Sequence, residues 1–263
     1  MPNSQPPSPF PIDPVASARW QARQPATSPW LHEEVAQRMQ ERLDAVLLQP
    51  QRWLHWQPQM GGVQAHAALA QRYPQAQNLQ MPPQPEPPAE SIDMLWANMA
   101  LHTAANPVTL LLQWRSWLSP EGFLMFSLLG PNSLPELRDL YARKGWGPCC
   151  HAFTDMHDWG DLMLQVGFAD AVMDVETITL TFASPQRLAV ELREIGRNLS
   201  PERASITRGK GWLQQWYAAV AELAQDDGQI PLTFEIVYGH ALASAGAGDG
   251  AACPVFSRHM AHS

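Results

Sequence analysis

The chain is predicted to be α/β, with a mainly parallel sheet and an antiparallel strand pair at its C-terminal end. Three observations carry this. Ile92–Asn98 (IDMLWAN) is an almost unbroken apolar run closed by Asn, as expected of a central parallel strand covered on both faces. A helical stretch, Pro107–Leu118, separates it from a second apolar run, Gly122–Ser127, which makes a strand–helix–strand crossover unit. Finally, Asp174–Phe182 and Leu232–Tyr238 alternate apolar and polar residues and flank a helical insertion, 184–226.

Composition bounds the function classes. The chain has 263 residues, 45% hydrophobic and 16% charged, which suits one globular α/β domain. A formal net charge of -8 argues against general nucleic-acid affinity. No apolar run is long enough to span a membrane, and the start (MPNSQPPSPFPIDP) lacks the basic and apolar regions of a secretory signal. Cys149, Cys150 and Cys253 do not make a disulfide framework and suit a reducing, cytoplasmic setting.

In chain order, the Pro- and Ser-rich opening is expected to be disordered, with the domain running from Ser28 to Leu242 and a flexible tail at 243–263. Ser28-Pro29 reads as the cap and first residue of a helix to Leu47. Leu31, Val35, Met39, Leu43 and Leu47 form its apolar face, and Glu33 and Glu34 suit its first turn. This helix either covers the sheet or forms a lid that carries Trp30 and His32 over a ligand crevice. Trp53–Trp56 reads as a strand, followed by a loop, a helix over Gly62–Tyr73 and a weak strand at Ala76–Gln80. Met81–Glu90 holds too many prolines for a helix or central strand and reads as an extended connector. Ser133 is expected to cap a helix over Leu134–Lys144, and Thr154–Val166 is amphipathic. Ser184-Pro185 opens a helix to Ile195, a basic loop follows, and Trp212–Ala224 is helical.

Several stretches resemble class I S-adenosylmethionine-dependent methyltransferases, and more closely the malonyl-ACP O-methyltransferases of biotin biosynthesis. They are HEEVAQRMQERLD (His32–Asp44), IDMLWANMALH (Ile92–His102), LSPEGFLMFSLLGPNSLPELR (Leu118–Arg138), DMHDWGDLMLQVGFADAVMDVETITLTF (Asp155–Phe182) and LTFEIVYGHA (Leu232–Ala241). The resemblance implies a Rossmann-like sheet, S-adenosylmethionine as cofactor, and the free carboxylate of a malonyl group on acyl carrier protein as methyl acceptor.

The cofactor motifs depart from that pattern. On the family's first motif, a strand ending V-L-D-L-G-x-G-x-G, His55 takes the place of the acid, Gln57 and Gln59 replace the first two glycines, and Gly61 remains. The second strand, whose last residue should be an acid for the ribose hydroxyls, runs into Met81-Pro82-Pro83, and Glu86 is the nearest acid. Only the proline connector precedes Ile92, so the usual third strand is expected to be missing. His55, Gln57, Gln59, Gly61 and Asn98 are therefore the cofactor-side candidates. Asn98 reads equally as a helix cap, and Trp53, Trp56 and Trp96 either fill the core or stack on an adenine.

On the acceptor side, a carboxylate needs a cation or a hydrogen-bond donor to fix it. Arg203, Arg208, Lys210, His32 and also His151 are candidates for this. Arg138, Arg143 and Lys144 would offer a basic face to an acidic carrier protein, or are ordinary surface charge. Cys149, Cys150, His151, Asp155, His157 and Asp158 lack the spacing of a zinc site. A second class of function stays open: a methyltransferase-fold protein without catalysis that serves as a binding or regulatory module. A third reading is a methyltransferase that holds its cofactor through the tryptophans.

Overall fold

The structure, a computed structural model, describes residues 12–23, 27–79, 89, 91–204 and 209–243. Apart from Ala89, the proline connector lies outside them, as do Glu86, Arg208, Cys253 and the tail beyond Ala243. The strands are β1 (Arg52–His55), β2 (Gln77–Leu79), β3 (Ile92–Ala97), β4 (Leu118–Leu129), β5 (Phe168–Phe182) and β6 (Ile230–Ala243). They form one six-stranded sheet in the order β2-β1-β3-β4-β6-β5. β1 to β4 run parallel, and β6 pairs antiparallel with both β4 and β5. Among the described residues no strand lies beyond β2.

The period of two along each strand divides the core. Trp53, Met94, Trp96, Phe123 and Met125 face one layer, and Leu54, Leu95, Ala97, Leu124 and Phe126 face the other. On the first side lie α2 (Trp30–Arg42), α4 (Val63–Arg72), α6 (Pro135–Lys144), α8 (Pro185–Ile195) and α9 (Lys210–Ala221). On the second lie α5 (Pro107–Trp117) and α7 (Met156–Gln165). Trp53 and Trp96 are fully buried within the first layer, so they are core residues, whereas Trp56 packs edge-on against Trp114. Each buried indole contributes about 4–6 kcal/mol of apolar burial as an upper bound.

Some elements differ from the sequence reading. A helix, α1 (Pro14–Gln21), stands in the segment expected to be disordered. Asp13 caps it by accepting from Val15 N and Ala16 N, with Pro14 as its first residue. It is held by Trp20, buried against Met60 and Leu199, and by the Ser17 hydroxyl donating to Thr103 O at 2.6 Å. Helix α2 ends at Arg42 and continues as a single 3-10 turn, Leu43–Ala45. Ser133 does not cap α6. Its hydroxyl donates to Glu235 O and accepts from Glu235 N, while Leu134, in the left-handed region, precedes the helix. Glu136 takes the N–H and hydroxyl of Thr233, so α6 is riveted to β6.

Candidate functional site

Ligands in open α/β sheets bind past the carboxyl ends of the strands. Here that crevice has a donor side, beyond β1 and β3, and an acceptor side, beyond β4.

On the donor side the segment after β1 is not an open loop. Gln57 adopts the left-handed conformation (φ 49°) and precedes a one-turn helix, α3 (Pro58–Gly61). Gln59 is exposed on that turn. The Met60 carbonyl accepts from His32 Nδ1 at 2.7 Å, and the Gly61 carbonyl accepts from Asn98 Nδ2. Asn98 also donates to His32 O at 2.8 Å and accepts from the Ser127 hydroxyl. It is therefore neither a helix cap nor an open ligand contact. It is a buried clamp that joins the end of β3 to α2, α3 and β4. His32 is buried as well, and burial holds its pKa below the usual histidine value. Trp30 is mostly exposed.

Glu33 closes the remaining gap. Its carboxylate accepts from Gln64 N at 3.1 Å and Ala65 N at 3.3 Å, so it caps α4, and Ser28 bonds the same carboxylate. Sequence reasoning placed Glu33 at the start of its own helix. Its partners are instead amides about 30 residues downstream, which local sequence cannot signal. Glycine is required at 62, where φ is +127° and a Cβ would lie 3.0 Å from Glu33 Oε2. His55 is buried between His66 and Trp96, with neither ring nitrogen hydrogen-bonded among the described residues. Burial lowers its pKa to about 3, so it is neutral. At the second strand, the Asn78 amide pairs with His66. The Met60 and Gly61 carbonyls and the Gln64 and Ala65 amides are thus bonded within the chain.

The acceptor side holds a cavity of about 120 Å³. Its walls are Leu129 and Phe234 from the sheet, Leu134 just before α6 and Leu137 and Tyr141 on it, His102 and Thr103 after β3, Cys149 to His151 with Phe153, and the end of α8 with the residues to Asn198. It is smaller than the roughly 300 Å³ at which sites begin to enclose a drug-sized ligand, and it suits an acyl headgroup. A larger cleft of about 490 Å³, around Pro50, Asp93 and Ser119, lies at the amino ends of the strands, away from this chemistry. His151 is buried, donates from Nε2 to His102 O at 2.8 Å, and has an Nδ1 without a hydrogen-bond partner among the described residues. Burial lowers its pKa to about 4, and His102 is also held well below the usual value by burial, so both are neutral. Cys149 and Cys150 lie 3.7 Å apart at the sulfurs, and no metal-holding cluster occurs among the described residues.

The expected cations are spread out. Arg203 is tied to Asp13 at 2.6 Å and anchors α1. Lys210 is exposed at the start of α9. Arg143 is exposed, and Lys144 pairs with Glu222 on the surface at 3.0 Å. Arg138 leaves this outer face. Its Nε donates to Ser133 O at 2.8 Å, its guanidinium sits 5.6 Å from the Phe153 ring centroid, and its Nη2 is buried without a hydrogen-bond partner among the described residues. The helical spacing Leu134, Leu137, Arg138, Tyr141 would have placed it on the inward face. Tyr141 and Phe153 escaped the sequence reading as site residues, and His102 entered it only as the end of a family-like stretch, because none of them stands in a spacing that signals a site.

This parallel sheet with its antiparallel strand pair, and its crevice at the strand ends, has the architecture of a Rossmann-like class I methyltransferase. No protein-family model matches the chain. It is similar to a malonyl-(acyl-carrier protein) O-methyltransferase from Halorhodospira halophila, 34% identical over 82% of both chains. It is also similar to one from Gallionella capsiferriformans, 33% identical over 80% of this chain and 83% of that one. Among solved structures, the YcgJ protein of Bacillus subtilis aligns with a TM-score of 0.48 and 10% identity over 79% of this chain and 98% of that one. The chain belongs to the malonyl-(acyl-carrier protein) O-methyltransferase family.

Proposed function

We propose that the chain acts on a malonyl group carried by acyl carrier protein and converts its free carboxylate to the methyl ester, with S-adenosylmethionine as donor. The observation that carries this reading is the match over 82% of each chain to a relative with that printed activity. The acceptor-side cavity supports it. A malonyl carboxylate is ionised at neutral pH and needs no base, so neutral His102 and His151 are compatible with it. The exposed Arg143 and Lys210 offer positive charge to an acidic carrier.

The altered glycine loop, with Gln57 and Gln59 at the first two glycine positions, favours a second reading, in which the chain binds the malonyl carrier without transferring a methyl group. Calorimetry with S-adenosylmethionine and S-adenosylhomocysteine, followed by mass analysis of malonyl carrier protein incubated with the chain and donor, separates the two. Cofactor binding and a methyl gain are expected from the first reading. Carrier binding with no cofactor heat and no mass gain would replace it with the second.

A further inference from the structure

We propose that Cys149 and Cys150 form a reversible thiol–disulfide site in the wall of the acceptor cavity, oxidised by small disulfides of the glutathione class, with Cys150 attacking and Cys149 resolving.

The geometry carries the pairing. In an extended chain successive side chains point to opposite faces. Here the chain bends at both residues, between α6 and α7, and brings the two sulfurs together. The Cys149 thiol donates to Cys150 Sγ at 3.7 Å. Both are free thiols, both are half-buried, and both line the cavity, so the pair stands where the cavity meets the core.

The two sulfurs are not alike. The bond from Cys149, helped by the positive charge of Arg138, lowers the pKa of Cys150 against the effect of burial. The same bond, and burial, push the Cys149 thiol up. The thiolate is the nucleophile in disulfide exchange, so Cys150 attacks while Cys149 keeps its proton for the second step.

In the first step the Cys150 thiolate attacks one sulfur of the small disulfide. That S–S bond breaks, one small thiolate leaves, and a mixed disulfide stands on Cys150. In the second, the Cys149 proton passes to the departing thiolate, Cys149 attacks Cys150 Sγ, and the second small thiolate is expelled. Two cysteine sulfurs are oxidised to one disulfide, and one small disulfide is reduced to two thiols. Adjacent Cα atoms lie about 3.8 Å apart, closer than the roughly 4.4–6.8 Å of a relaxed disulfide, so the closed ring is strained and easily reduced. That suits a reversible site rather than a structural bond. The ring forms in the cavity wall, directly before His151, whose Nε2 holds His102 O.

The test uses the full chain carrying Cys253→Ser, so that Cys149 and Cys150 are its only thiols, treated with oxidised glutathione. Non-reducing intact mass and peptide mapping read the product, with thermal melts as a fold check on the variants. Expected is the loss of two hydrogens, about 2 Da, on the peptide that holds both cysteines, with no glutathione retained and full reversal by dithiothreitol. Cys149→Ser keeps a hydroxyl donor beside Cys150 and is expected to retain one glutathione there. Cys150→Ser is expected to react at Cys149 at least about tenfold more slowly. An unchanged mass in the folded chain would overturn the inference without any further variant. So would a glutathione that stays on the intact pair, or a Cys150→Ser chain that reacts as fast as Cys149→Ser.

Discussion

Replacing Asn98 with Ala tests whether the donor side is held shut from within. The side chain is buried, donates to His32 O at 2.8 Å and to Gly61 O, and accepts from the Ser127 hydroxyl. Truncation leaves two carbonyls without this donor, and each buried unsatisfied group costs about 1–3 kcal/mol. The Ser127 hydroxyl keeps its bond from Met99 N at 3.1 Å, so its share is smaller. A net loss of about 3 kcal/mol follows. In a domain of this size that lowers Tm by roughly 6–12 °C. Urea unfolding of wild type and Asn98→Ala measures it. Asn98→Asp is expected to be at least as damaging, because a buried carboxylate cannot donate to either carbonyl. A loss below about 1 kcal/mol in Asn98→Ala would refute the clamp and return Asn98 to the pool of open ligand contacts.

Glu33→Ala removes the cap of α4 and is expected to cost about 1 kcal/mol in urea unfolding while tightening S-adenosylhomocysteine binding in calorimetry. Unchanged affinity would mean that Glu33 does not obstruct the donor side. His55, at about 3 in the folded chain and near 6.5 unfolded, takes up a proton only on unfolding, so stability falls as pH drops below 6.5. His55→Leu should flatten that fall by about 1.4 kcal/mol per pH unit between pH 5.5 and 4, and parallel curves for the two proteins would contradict a neutral, buried His55. Arg42 pairs with Asp174 at 2.6 Å and lies 3.7 Å from the Tyr238 ring centroid. Arg42→Ala is expected to cost about 1 kcal/mol, partly screened by salt, and a loss beyond about 3 kcal/mol in chemical denaturation would show that α2 depends on it far more than this geometry allows.

The regular elements were legible because local rules set them. Ser184-Pro185 to Ile195 runs as the cap and periodicity dictate, and β3 and β4 follow their apolar runs. Asp13-Pro14 carried the same signal for α1 but was outweighed by the surrounding prolines and serines. The site was less legible because its partners are remote. Ser133 reads as a cap, yet its hydroxyl answers a backbone 102 residues away. Asn98 reads as a strand-end contact, and its real partners lie 29 to 66 residues away on other elements. The sign of Arg138 is visible in the sequence, but the direction of its guanidinium is set by the docking of α6 on β6.

The order of the sheet has one more consequence. Among the described residues β5 pairs only with β6, so its 15 residues form an outer rim. A bare edge of that length is a template on which another chain can lay a strand. Here it is interrupted near its start by the irregular register between Ala169 and Val172, where Asp170 turns left-handed. Further along, Asp174 and Glu176 hold arginines from α2 across it. The same ion pairs that fasten α2 to the sheet thus place charge along the rim and disfavour stacking with a neighbouring copy.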